Sequence, residues 1–420
     1  MPETLYGSIK VLSGWAFPST GFDDSEGLPL IRIRDLGRPT TEVKFKGNYE
    51  ARYVVEDGDV LIGMDGDFAV QKWSGGPALL NQRVCKVESV SSMLDQNFLY
   101  WYLMPHVADI HRKTPQTTVR HLSASSLAKI PVPPISFEEQ RRASRVLDTL
   151  DTTIRQTEAI IEKLKQVKQG LLHDLLTRGI DDNGELRPPQ SEEPHLYKES
   201  PLGWVPRDWD VVPVDHVAES IVDGPFGSNL KTEHYVPTPG VRVVRLQNIG
   251  IGTYDDAECA YVSSQKALSL SRNQVIGGDV LVAALGDERY PVGRACSYPK
   301  EFAAAVNKAD CFRLRPEASV AIAEFVVHSL NGAAARRQGR GYEQGVTMQR
   351  INVGNLKRIL LAMPPLAEQR ASCSMLATLD TTLVITTRNL SKYRQQKSGL
   401  MDDLLTGRVR VTPLLLGAPA

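Results

Sequence analysis

Several features that are common in enzymes and membrane proteins are scarce in this sequence of 420 residues. The five cysteines are scattered and form no CxxC pair, which argues against a disulfide framework or a zinc site and favours a reducing cytoplasm. No apolar run approaches the ~20 residues that a membrane span requires, so we expect no membrane association. Lys and Arg total 49, as do Asp and Glu, so any nucleic-acid contact must come from local patches.

Motifs that carry known catalytic chemistry are also missing. The sequence has no GxxxxGK[ST] phosphate loop, no GxGxxG opening a helix, no HExxH, no GxSxG and no Asn/Asp-Pro-Pro-aromatic methyltransferase motif. One trio, Asp35 with Glu42 and Lys44, could surround a magnesium ion as in a nuclease. The matching place in the second half of the chain holds Asn248, with no counterpart of the trio after it. We therefore expect no catalytic residues, no metal and no cofactor.

What the sequence does contain is an internal repeat. The pentapeptide TLDTT occurs at 149–153 and again 229 residues later, at 378–382. The match extends without a gap, because EQRRASRVLDTLDTTI faces EQRASCSMLATLDTTL and QGLLHDLLTRG faces SGLMDDLLTGR. Weaker similarities, such as LIRIRDLG with VVRLQNIG and NQRVCKV with NKADCFRL, have offsets that drift from 213 to 226. This pattern predicts a duplicated unit of a globular domain followed by a long helix.

The two helical segments follow a 3-4-3-4 apolar spacing that is typical of a coiled coil. A capping box at Ser136 and Glu139 predicts the first helix start, and Gly179 and Gly407 predict left-handed caps at the ends. Because each helix must return the chain toward the other domain, we expect an antiparallel pair roughly 60 Å long. The predicted seam comprises Leu147, Leu150, Ile154, Thr157, Ile161, Leu164 and Lys168 in the first copy, and Leu376, Leu379, Leu383, Thr386, Leu390, Tyr393 and Lys397 in the second.

Polar residues at matching seam positions indicate a register constraint. Thr157, Lys168, Thr386 and Lys397 are predicted to fix how the two helices pair, since a polar seam residue costs stability but restricts register. The alternative is that these side chains face solvent where the supercoil drifts.

Short alternating apolar runs and single helical stretches predict an α+β fold with two tandem α/β domains. We place domain 1 at 1–132, the first helical spacer at 133–180, a polar, proline-rich linker at 181–204 and domain 2 at 205–362. The second helical spacer then covers 363–410, followed by a tail at 411–420.

Loops rich in Arg, Gln and Thr stand at equivalent places in both domains. Arg and Gln side chains bond guanine and adenine edges, and Thr or exposed loop amides can hold phosphates. Ordinary solvated loops are the alternative for any single residue. The DNA-binding candidates are Arg112, Lys113, Gln116, Thr117, Thr118, Arg120, Ser228, Asn229, Lys231, Arg289, Tyr290, Arg336, Arg337, Arg340, Tyr342, Gln344 and Thr347.

Nearly the whole chain resembles the specificity (S) subunits of type I restriction-modification systems. The resemblance rests on PPISFEEQRR…LDTLDTTI…QGLLHDLLTRG, on its second copy, and on YKESPLGWVPRDW before domain 2. It implies two target-recognition domains that each bind one half of a split, asymmetric site in double-stranded DNA, with helices that set the spacer. It also implies two methyltransferase subunits, which carry S-adenosylmethionine, and motor-nuclease subunits that cleave DNA.

The chain departs from this pattern at its start, since domain 1 lacks the lead-in found at 203–220 before domain 2. The sequence leaves open a shorter N-terminus or an upstream start. Two alternatives to the resemblance also stay open. One is an S-like subunit of a fused nuclease-methylase or another phage-defence complex, and the other is a coiled-coil scaffold that binds only proteins.

Overall fold

The computed structural model describes residues 4–114, 121–343, 345 and 349–411. The chain divides into two compact units, of which one contains the residues up to Ile160 and those from Thr386 onward, and the other contains Ile161–Ile385. Each unit holds one mixed α/β domain together with part of each of two long helices.

Domain 1 and the helix that follows it contain nine strands and three helices in the described residues. They are β1 (Ile9–Ser13), β2 (Phe22–Asp23), β3 (Leu28–Ile31), β4 (Lys44–Phe45), β5 (Val54–Val55), β6 (Val60–Gly63), β7 (Val70–Lys72), β8 (Ala78–Leu80), β9 (Val84–Ser89), α1 (Gln96–Lys113), α2 (Ala124–Ala128) and α3 (Phe137–Thr177).

Later elements of the chain begin with a hairpin that starts inside the predicted linker and ends beyond it. They are β10 (Tyr197–Ser200), β11 (Gly203–Pro206), β12 (Asp210–Pro213), β13 (Ala218–Val222), β14 (Tyr235–Val236), β15 (Val241–Val244), β16 (Tyr261–Val262), α4 (Ser264–Ser269), β17 (Gln274–Val275), β18 (Val280–Ala283), β19 (Leu285–Gly286), β20 (Ala295–Ser297), β21 (Ala305–Asn307), β22 (Cys311–Pro316), α5 (Ala323–Asn331), α6 (Ala333–Tyr342), β23 (Gln349–Arg350), α7 (Val353–Arg358), β24 (Leu360–Met363) and α8 (Leu366–Leu404).

Each domain is built on a four-stranded and a five-stranded sheet. In domain 1 the strand orders are β1-β9-β6-β7 and β2-β4-β3-β8-β5, and β3 and β8 run parallel. In domain 2 the corresponding orders are β13-β22-β18-β20 and β14-β16-β15-β21-β17, and β15 and β21 run parallel. Alternating apolar residues of these strands pack under α1 in domain 1 and under α5 in domain 2.

Strand register corrects one detail of the sequence comparison. Val60 pairs with Val87 on β9, whereas Val280 pairs with Leu314 on β22. Strands β9 and β22 therefore correspond at an offset of 227 residues. Arg83 of domain 1 then occupies the place of Asp310 in domain 2. Aligning the two strings on their asparagines is thus wrong by one residue, because backbone pairing and not side-chain identity sets the register.

The ends of the long helices follow the predicted capping chemistry. Ser136 Oγ accepts a hydrogen bond from the Glu139 backbone N–H at 3.4 Å. The carboxylate of Glu139 accepts from the Val411 backbone N–H at 2.9 Å, so it ties α3 to the chain beyond α8 in the same unit. Gly179 and Gly407 have φ angles of 64° and 70°, the left-handed caps that the sequence predicts.

A buried glutamine at the base of each long helix anchors the domain in front of it. Gln140 Oε1 accepts from the Asp95 N–H at 2.9 Å, and Nε2 donates to the carbonyls of Met93 and Ile135 at 3.0 and 3.2 Å. Gln369, 229 residues later, repeats this pattern around the turn that precedes α5. We call these two residues the glutamine anchors.

Opposite ends of α3 and α8 meet within each unit. The early part of α3 packs on the late part of α8 through Leu147 and Leu404, which share one core. In the other unit, the late part of α3 packs on the early part of α8 through Leu175 and Leu376. The helices therefore run in opposite directions in both units. All fourteen predicted seam residues are buried or half-buried.

Two ion pairs join the helices through the repeated pentapeptide. Lys397 Nζ lies 2.5 Å from the Asp151 carboxylate in one unit, and Lys168 contacts Asp380 in the other. Thr157 instead donates its hydroxyl hydrogen bond to the Thr153 carbonyl within α3 at 2.7 Å. The Thr157 hydroxyl thus has a partner inside its own helix, as is common for threonine, whose side chain can reach the carbonyl four residues earlier.

We expect the Lys397–Asp151 pair to show a coupling free energy of about 1 kcal/mol, because both side chains are largely shielded from solvent. Urea unfolding of Lys397→Met, Asp151→Asn and the double variant measures that coupling. Lys392→Met, at an exposed position of the same helix, is the control and should change stability by less than about 0.5 kcal/mol. A coupling indistinguishable from zero would contradict a stabilising role for the pair.

No helix among the described residues is long and apolar enough to cross a membrane.

Candidate nucleic-acid interface

In domain 2, a close backbone contact at the end of β13 leads into an exposed loop. A β-carbon on Gly224 would lie 1.8 Å from the Lys308 carbonyl oxygen, so only glycine fits. Burial raises the pKa of Asp223, the residue just before this turn. In the loop that follows, the Phe226 ring is 48% exposed. The loop therefore has a fixed base and an aromatic residue at its surface.

A second loop of domain 2 is held by a buried arginine. Tyr290 and Arg289 are exposed in this loop, with the Arg289 guanidinium 5.2 Å from the centre of the Tyr290 ring. At its base Arg294 Nε donates to the Ile249 carbonyl at 2.7 Å, and Nη1 donates to the Leu285 carbonyl at 2.8 Å. Burial lowers the pKa of Arg294. These hydrogen bonds fix the loop relative to the sheets.

Arg350 brings together segments that are far apart in the sequence. It pairs with Leu285 where β23 meets β19, and its Nη2 lies 2.6 Å from Asp310 Oδ1. Its guanidinium also lies 5.3 Å from the centre of the Phe226 ring. The Arg350 side chain nevertheless remains 45% exposed. We call Phe226, Asp310 and Arg350 the Arg350 cluster.

Domain 1 has the same backbone supports but different side chains. A β-carbon on Gly14 would lie 2.2 Å from the Asn81 carbonyl oxygen, and the next residue, Trp15, is 48% exposed. His121 forms a backbone bridge with Asp65 at the position where Arg350 pairs with Leu285. The Asp65 carboxylate forms a hydrogen bond with His121 Nδ1 at 2.8 Å. Arg83 Nε lies 3.4 Å from the same carboxylate.

Several candidates from the sequence lie at these surfaces of domain 2. Ser228, Asn229 and Lys231 are exposed on the first loop, and Arg289 and Tyr290 on the second. On α6, Arg337 and Arg340 are also exposed. Gln344 and Thr347 lie outside the described residues.

Two candidates on α6 are used for packing instead. Arg336 is half-buried, its Nη2 donates to Asn331 Oδ1 at 3.0 Å, and burial lowers its pKa. Tyr342 is also half-buried and packs against the core of domain 2. Arg336 and Tyr342 are therefore less accessible to a ligand than Arg337 and Arg340, because one face of α6 covers the apolar core.

In domain 1, Arg112 and Lys113 are exposed in the last turn of α1. Both pair with Asp109, at 3.4 and 2.7 Å, and these contacts, led by the Lys113 hydrogen bond, lower the pKa of the Asp109 carboxyl. Gln116, Thr117, Thr118 and Arg120 lie outside the described residues.

Residues of the possible magnesium trio make structural contacts of their own. Asp35 is buried and accepts from the backbone N–H groups of Arg32 and Glu42, at 2.9 and 3.3 Å. Lys44 Nζ is used elsewhere, donating to the Ser25 carbonyl at 2.7 Å. Asn248 caps the equivalent turn of domain 2, accepting from the Arg245 N–H at 2.9 Å. Asp35 and Asn248 thus share a structural role, since either side chain supplies the one oxygen the turn needs.

The candidates predicted from the sequence do not include Phe226, Arg350, Trp15 and His121, which lie at these surfaces. A weak signal existed for two of them, because a glycine with an aromatic residue one or two positions later follows a strand in both copies, as SGW and as DGPF. Strand pairing sets the partners of His121 and Arg350. His121 pairs with Asp65, more than fifty residues away, and Arg350 pairs with Leu285, more than sixty residues away. No local pattern could have indicated them.

Comparison with known proteins shows which family this chain resembles. Residues 9–166 match the family described as the type I restriction modification DNA specificity domain. The chain is 27% identical over 373 residues to the EcoBI specificity subunit of Escherichia coli, covering 86% of this chain and 75% of that protein. It is 24% identical over 379 residues to the MjaVIII specificity subunit of Methanocaldococcus jannaschii, covering 86% and 81%. Over most of its length the chain is thus similar to type I restriction specificity subunits.

Solved structures show that the specificity-subunit fold extends over nearly the whole chain. The crystal structure of a type I S subunit from M. genitalium matches with a TM-score of 0.57 and 14% identity, over 96% of this chain and 95% of that one. A chain from a structural study of type I complex assembly and conformational transition matches with a TM-score of 0.51 and 14% identity, over 96% and 98%. At this identity the likeness concerns the fold alone.

Proposed function

We propose that the protein is the non-catalytic DNA-recognition subunit of a cytoplasmic type I restriction-modification complex. Each domain binds one half of a bipartite, asymmetric site in double-stranded DNA. The observation that carries this proposal is that matching backbone supports present different side chains: Trp15, Asp65 and His121 in domain 1, and the Arg350 cluster in domain 2. A shared backbone framework with different exposed side chains suits two domains that bind two different DNA sequences.

The chemistry of these surfaces suits duplex DNA. Exposed Lys231, Arg289 and Arg340 can neutralise phosphates, which gives an affinity that falls with salt. A small number of oriented groups can then contact base edges in the major groove. We expect the two half-site centres to lie about one helical turn, or ~34 Å, apart.

The long helices form the antiparallel coiled coil that sets the spacer and docks two methyltransferase subunits. The buried seam, the two Lys–Asp pairs and the glutamine anchors support this part of the proposal, since each restricts a helix or a domain to one register. The motor-nuclease subunits would join through the assembled complex.

Mapping methylated adenines in DNA exposed to the reconstituted complex tests the proposed function. We expect a split motif, with one methylated adenine in each half and a spacer of constant length. Replacing domain 2 with that of another S subunit should change one half of the motif and leave the other intact. An unchanged motif after this exchange would favour the protein-only scaffold, and a contiguous motif would refute recognition of two half-sites.

Partners recovered from the native host distinguish the type of system. Separate modification and restriction polypeptides are expected to co-purify with the chain. Recovery of one polypeptide that contains both the methylase and the nuclease would instead indicate the alternative, an S-like subunit of a fused enzyme.

A further inference from the structure

The Arg350 side chain has the geometry of a preset base contact. Its strand pairs with β19, its Nη2 contacts Asp310 at 2.6 Å, and its guanidinium lies over Phe226 at 5.3 Å. The strand pairing fixes the Arg350 backbone, and two further segments restrict a long side chain that would otherwise have many rotamers. Little conformational entropy then remains to be lost on binding, which favours a specific contact over a loose phosphate contact.

Asp310 and Phe226 leave part of the guanidinium available. Arginine has five N–H donors in a planar fork, and the Asp310 carboxylate forms an ion pair beside one nitrogen of that fork. The centre of the Phe226 ring lies 5.3 Å from the guanidinium carbon, within the range of a cation–π contact, which uses none of the N–H donors as a conventional hydrogen bond. With 45% of the side chain exposed, donors remain for a partner that offers two acceptors in one plane. O6 and N7 of guanine are such a pair in the major groove.

We propose that Arg350 recognises a guanine in the half-site bound by domain 2, and that Asp310 and Phe226 are positioning residues for it. This inference rests on the proposed function and specifies one base of one half-site. Domain 1 carries His121 on Asp65 at the equivalent place, so its half-site is not expected to require guanine at the matching position.

The same support therefore gives the two domains different base preferences. In domain 2 the acidic residue, Asp310, lies just before β22, and the basic residue, Arg350, lies on β23. In domain 1 the arginine stands on the β9 side, at Arg83, and the acid stands at Asp65 after β6. The charge thus reverses at one equivalent position, Arg83 and Asp310, while the acid of domain 1 stands where domain 2 has Leu285.

The test uses the complex with its methyltransferase subunits and duplexes that vary one base pair at a time across the wild-type motif. Arg350→Lys keeps the charge but removes the planar fork. We expect it to reduce discrimination at one G·C pair of one half-site by about 10- to 100-fold, with the other positions unchanged. Asp310→Asn and Phe226→Leu should relax the same position more weakly, and Phe226→Tyr should retain it.

Controls separate this inference from the proposed function. Arg272→Lys, an exposed arginine of the same domain outside the cluster, should leave the motif unaltered. His121→Asn should affect only the opposite half-site. If the wild-type complex has a split motif but Arg350→Lys leaves every position unchanged, or weakens all duplexes equally, the guanine contact is refuted while the proposed function stands. If the wild-type complex has no split motif, the proposed function itself fails.

Discussion

Leu147→Asp is expected to destabilise the protein by more than about 4 kcal/mol. The Leu147 side chain is 0% exposed and packs in a core that also contains Leu103, Val107 and Leu404. This core includes residues from the domain, from α3 and from α8 of the same unit, so an aspartate would be an unpaired charge among all three. Chemical unfolding of the purified chain, followed by circular dichroism, measures the loss.

Val146→Asp is the matched control for that experiment. Val146 precedes Leu147 in the same helix, and its side chain is 36% exposed. The new carboxylate would reach water, so we expect a loss below about 1 kcal/mol. Similar losses of unfolding free energy for the two variants would mean that burial in the seam does not determine the cost of the new charge. Leu150 is half-buried, so a charge there should be tolerated better than at Leu147.

Gln369→Glu is expected to cost about 3–5 kcal/mol and to loosen domain 2 from its helix. Gln369 is 0% exposed, its Oε1 accepts from the Ile322 N–H at 2.9 Å, and its Nε2 donates to the Val320 and Pro364 carbonyls at 2.9 and 2.8 Å. A glutamate has nearly the same shape but no donor, so a carboxylate would face two carbonyl oxygens. Hydrogen exchange should show faster opening of the turn before α5.

Two further variants sharpen this experiment. Gln395→Glu changes an exposed residue of the same helix and should be nearly neutral. Gln140→Glu should produce the same local opening around Asp95 in domain 1 and leave the domain 2 turn protected. If the carboxylate at 369 were accommodated without a measurable change in stability or exchange, the anchor would have no energetic role. In the complex, loosened anchoring should make the spacer between half-sites less uniform.

The helical part of the fold was accessible from the sequence because it depends on local and periodic signals. The prolines and Ser136 fix where α3 begins, Gly179 fixes where it ends, and the 3-4-3-4 spacing identifies the residues that become buried. Individual hydrogen bonds of the seam residues were less accessible. Thr157 donates to the Thr153 carbonyl of its own helix, a partner that the spacing of seam positions does not indicate.

The candidate site was only partly predictable. The sequence singled out loops of domain 2 that are exposed in the structure, and Arg289 and Tyr290 lie in one of them. Composition could not distinguish Arg340, which is exposed, from Arg336, four residues earlier, whose guanidinium is half-buried against Asn331. Burial of an arginine depends on which face of α6 meets the core, and that face is decided by packing.

By itself the sequence determined the duplication, the length and direction of the long helices, and the absence of known catalytic motifs. Each of these depends on residue identity, spacing or connectivity along the chain. Only the tertiary structure decided that Asp310 and Phe226 hold Arg350, that Asp65 holds His121, and that the pentapeptide aspartates meet Lys168 and Lys397. These contacts join residues tens to hundreds of positions apart, and strand register and helix packing bring them together.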